Sequence, residues 1–60
     1  MYSPQQEAHR AELYKVITSE KKLMSQAAKV NDHFEVALHA AKIRAAKQQL
    51  NRLYIESHGQ

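Results

Sequence analysis

The side chains that could do chemistry are four His, six Asp and Glu together, and a few Ser. Asp32, His33, Glu35 and His39 are the densest group of metal-ligating types. Ligands on one helical face need spacings of three or four, as in the metalloprotease helix motif. His33 and His39 are six apart, about 120° around a helix, and neither has a second His at a suitable spacing. They read as surface imidazoles beside a capping carboxylate, and His9 and His58 stand alone near the ends. A nucleophile or an acid–base pair needs a concave site that excludes water. Ser19, Ser25 and Ser57 read instead as helix-surface or helix-end residues. The expectation is a non-enzyme, with no catalytic residue, no metal and no cofactor.

The chain around these residues is 60 residues long, 43% hydrophobic, and rich in Ala, with one Gly, one Pro and no Cys. Zero Cys excludes disulfides and thiol chemistry. The composition favours helix over turns and strands, and a scaffold this small usually needs a partner or another staple. No apolar run approaches the roughly 20 residues that span a bilayer, and no export signal is legible. A cytoplasmic protein is expected. The formal charge of +3 lies in the ordinary range for solubility, so the distribution of charge has to decide whether nucleic acid is a partner. Lys15, Lys22 and Lys29 repeat every seven residues on one polar face. Lys42, Arg44, Lys47 and Arg52 spread around the second helix with no aromatic interleaved for stacking. A solvated charged face accounts for them, and nucleic acid is not the expected partner.

The elements follow from caps and breaks. Ser3-Pro4-Gln5-Gln6 has the spacing of a capping box with Pro at the first helical position. Asn31 and Asp32 favour caps and turns, and Asp32 with Glu35 repeats the box spacing. The spacing predicts an all-α, single-domain antiparallel hairpin over 1–60. Its helices run from about 4 to 29 and 32 to 57, with a turn at 30–32 and a stop at His58-Gly59. One continuous helix is the alternative, because the turn has no Gly.

In helix 1, Leu13, Val16, Ile17, Leu23, Met24, Ala27 and Val30 fall in one arc of about 160°, which Glu20 interrupts. In helix 2, Val36, Ala40, Ile43, Leu50 and Tyr54 form one stripe, while Phe34, Leu38, Ala41 and Ala45 form a second, almost opposite. A helix apolar on two sides needs two neighbours, and a hairpin supplies one. The hairpin core is therefore expected at Leu13, Ile17, Met24, Val36, Ile43, Leu50 and Tyr54. Partner binding is expected at Phe34, Leu38, Ala41 and Ala45, with completion by another protein or by a second copy.

This layout resembles the small YscE-type chaperones of bacterial type III secretion systems. The resemblance rests on Arg10-x-x-Leu13, Ile17 and Met24, then on Asp32-His33-Phe34-Glu35 opening helix 2, and on Ala41, Ala46 and Leu50. It implies a single helical hairpin acting as a non-enzymatic co-chaperone. The implied partner is a larger chaperone of tetratricopeptide-like repeats and, through it, the needle-forming subunit, kept unpolymerised in the cytoplasm. The alternative from another class is a self-associating regulatory protein that binds nucleic acid or another anionic partner.

Overall fold

The computed structural model describes residues 1–58 and contains two helices packed against each other, α1 over Pro4–Lys29 and α2 over His33–His58. Gly59, read as part of the helix stop, lies outside the described residues. α1 opens as its sequence dictates. The Gln6 N–H donates to Ser3 Oγ at 3.1 Å and the Ser3 N–H donates to Gln6 Oε1 at 2.9 Å, a reciprocal capping box.

The turn works without Gly because Asn31 takes the left-handed conformation, with φ of 58°. Asn tolerates that region better than other non-Gly residues. The Asp32 N–H donates to the Ala27 carbonyl at 2.9 Å and the Asn31 N–H to the Ala28 carbonyl at 3.1 Å. These two bonds make a Schellman motif, which satisfies carbonyls that the helix end would otherwise orphan. Asp32 then starts α2, its Oδ1 accepting the Glu35 N–H at 3.2 Å. The second box forms only by half, because the Asp32 N–H is already committed to Ala27 and the Glu35 carboxylate turns to His39 instead. Asp32 therefore closes one helix and opens the next within three residues, and the continuous-helix alternative is overturned.

The seam between the helices follows a strict alternation of three and four. The least exposed residues of α1 are Gln6, Arg10, Leu13, Ile17, Glu20, Met24 and Ala27. On α2, Val36, His39, Ile43, Ala46, Leu50, Leu53 and Ser57 match that rhythm, with Glu35 and Ala40 alongside. A repeat averaging 3.5 residues keeps one face toward a partner helix along its whole length. Leu13, Ile17, Ile43, Ala46 and Leu53 form the buried core, with Tyr2, Met24 and Leu50 packed against it.

Tyr54 is a correction to the expected core, being 54% exposed. Counting by four from Leu50 reaches Tyr54, whereas the alternation takes Leu53, three residues on. The stripe read from spacing also omits Ala46 and His39, both buried. Val36 is half-buried at the turn end of the seam. Tyr54 instead stacks on His58 with centroids 4.1 Å apart, while Tyr2 meets His58 edge-on at 5.6 Å. The Arg10 guanidinium lies 5.1 Å from the Tyr2 ring and 5.2 Å from the Tyr14 ring. These contacts hold together the end of the hairpin opposite the turn.

Candidate functional site

Two constellations stand out once the seam is drawn, one polar and inside, one apolar and outside. The polar one is Glu20, His39 and Glu35. The Glu20 carboxylate bonds His39 Nδ1 across the hairpin, and Glu35 Oε1 lies 3.3 Å from His39 Nε2 one turn back on α2. The His39 side chain is 11% exposed and that of Glu20 15%. Glu20, which interrupts the apolar arc of α1, and His39, read from spacing as a surface imidazole, thus complete each other. No signal within either helix could reveal this, because the two residues are nineteen apart and only the register joins them.

The chemistry open to this trio is narrow. Each imidazole nitrogen already faces a carboxylate, and the two nitrogens point in opposite directions, so the three residues share no common centre for a metal. Among the described residues no group of three or more such ligands is placed to hold one. No Ser lies in hydrogen-bond contact with His39. Ser57 bonds His58 at 2.8 Å at an exposed helix end. Glu20 and His39 form a largely buried polar bridge across the hairpin, with the more exposed Glu35 beside it.

The apolar constellation lies on one broad side of the hairpin. Helical periodicity sets Val16 and Leu23, seven apart, on one flank of α1, with His9 seven residues earlier. Leu38, Ala45 and Arg52, again seven apart, line a flank of α2. A groove lined by His9 together with Ala45, Gln49 and Arg52 shows that the two flanks face the same side. With Glu20 opposite His39, the antiparallel register brings Leu23 level with Val36, Val16 with Ile43, and His9 with Leu50. Leu23 is 42% and Leu38 38% exposed, large apolar side chains that the hairpin itself leaves half in water.

The four residues expected to bind a partner therefore divide. Leu38 and Ala45 share this side with α1, whereas Phe34, 76% exposed, and Ala41 point further round, away from α1. Val16 and Leu23 join the surface, although spacing alone assigns them to the inner arc of α1. Val30, also in that arc, is exposed at the turn. The seam is narrower than a single-helix wheel implies, because one neighbouring helix covers only the residues nearest it. Lys15, Lys22 and Lys29 are exposed on the back of α1.

Seam, caps and register together define an antiparallel two-helix hairpin that leaves Val16, Leu23 and Leu38 exposed. No family model, curated protein or solved structure matches the chain. No helix among the described residues is long and apolar enough to cross a membrane.

Proposed function

We propose that the protein is a non-enzymatic interaction subunit that lends its apolar side to a larger helical partner. The observation carrying this reading is that side itself, where Val16, Leu23 and Leu38 stand exposed. Large apolar patches left exposed mark interaction sites. Small Ala45 on the same side allows close helix approach. In the form that the family resemblance implies, the partner is a chaperone of tetratricopeptide-like repeats. Together the two hold a secretion-needle subunit unpolymerised in the bacterial cytoplasm. A concave repeat surface accepts a hairpin along its length, which suits an elongated molecule of 44 × 18 × 10 Å.

Co-purification with the repeat chaperone from a shared expression host tests the reading. Leu38→Asp or Ala45→Glu is expected to abolish capture while circular dichroism stays helical, since each puts a charge into an apolar contact. Capture undiminished by both substitutions removes this side as the docking surface.

A further inference from the structure

We draw no further inference here: the strongest candidate, the exposed apolar side of the hairpin at Val16, Leu23, Leu38 and Ala45, carries nothing beyond the docking role already proposed, because nothing in the structure shows what covers it.

Discussion

At the residue scale, Glu20 and His39 matter most, because each is a poor core residue until the other arrives. An ion pair taken out of water gains little over well-packed apolar side chains, yet a lone buried partner is costly. His39→Leu is therefore expected to cost about 3 kcal/mol by leaving the Glu20 carboxylate unpaired in the seam. For a domain of this size that is enough to abolish the cooperative unfolding transition in urea. The double substitution Glu20→Leu with His39→Leu should return to wild-type stability or exceed it. Additive losses in this double-mutant cycle would show that the two side chains act independently. What the pair contributes is register, since sliding α2 by one heptad leaves Glu20 facing Ala46 or Asp32 in place of an imidazole.

The helices and their joint decide the next scale. Fifty-two of the described residues are helical, split by a turn that hinges on one left-handed residue, Asn31. A β-branched side chain there clashes with its own backbone, so Asn31→Val is expected to cost about 1–2 kcal/mol in thermal or urea unfolding. Asn31→Gly should cost almost nothing, since Gly enters that region freely. Equal effects from the two would remove the left-handed turn from the account. Both caps are legible in sequence, Ser3 with Gln6 and Asp32 with Glu35. The second differs in detail because the Asp32 N–H is committed to the Ala27 carbonyl and the Glu35 carboxylate faces His39, one turn ahead.

Across the whole molecule one line of lysines stands apart from the seam. The lysines at 15, 22 and 29 form a heptad line on the back of α1, opposite the seam. Replacing all three with Gln is expected to leave capture of the repeat chaperone intact at physiological salt. Retention on a mixed DNA and RNA matrix should be weak before and after the change. Strong retention that falls steeply with salt and vanishes in the triple variant would instead favour a nucleic-acid binder, through release of counterions from the phosphates.

The amino-acid sequence by itself determines the two helices, their ends within a residue, and their pairing as a hairpin. Caps, turn residues and periodicity are local properties, written in neighbours a few positions apart. Leu13, Ile17 and Ile43 are recognisable as core on the same ground, being large, apolar and inside the arc. The tertiary structure alone decides between near-equivalent positions, such as Leu53 over Tyr54, because only a second helix selects which of two adjacent side chains it covers. It also decides that His39 lies inside and Leu23 half outside, reversing what hydropathy suggests for each. The reason is the same in both cases. A seam one helix wide shields a fixed strip set by register, and a polar residue that finds its opposite within that strip is retained where a leucine just beyond it is left to the next surface.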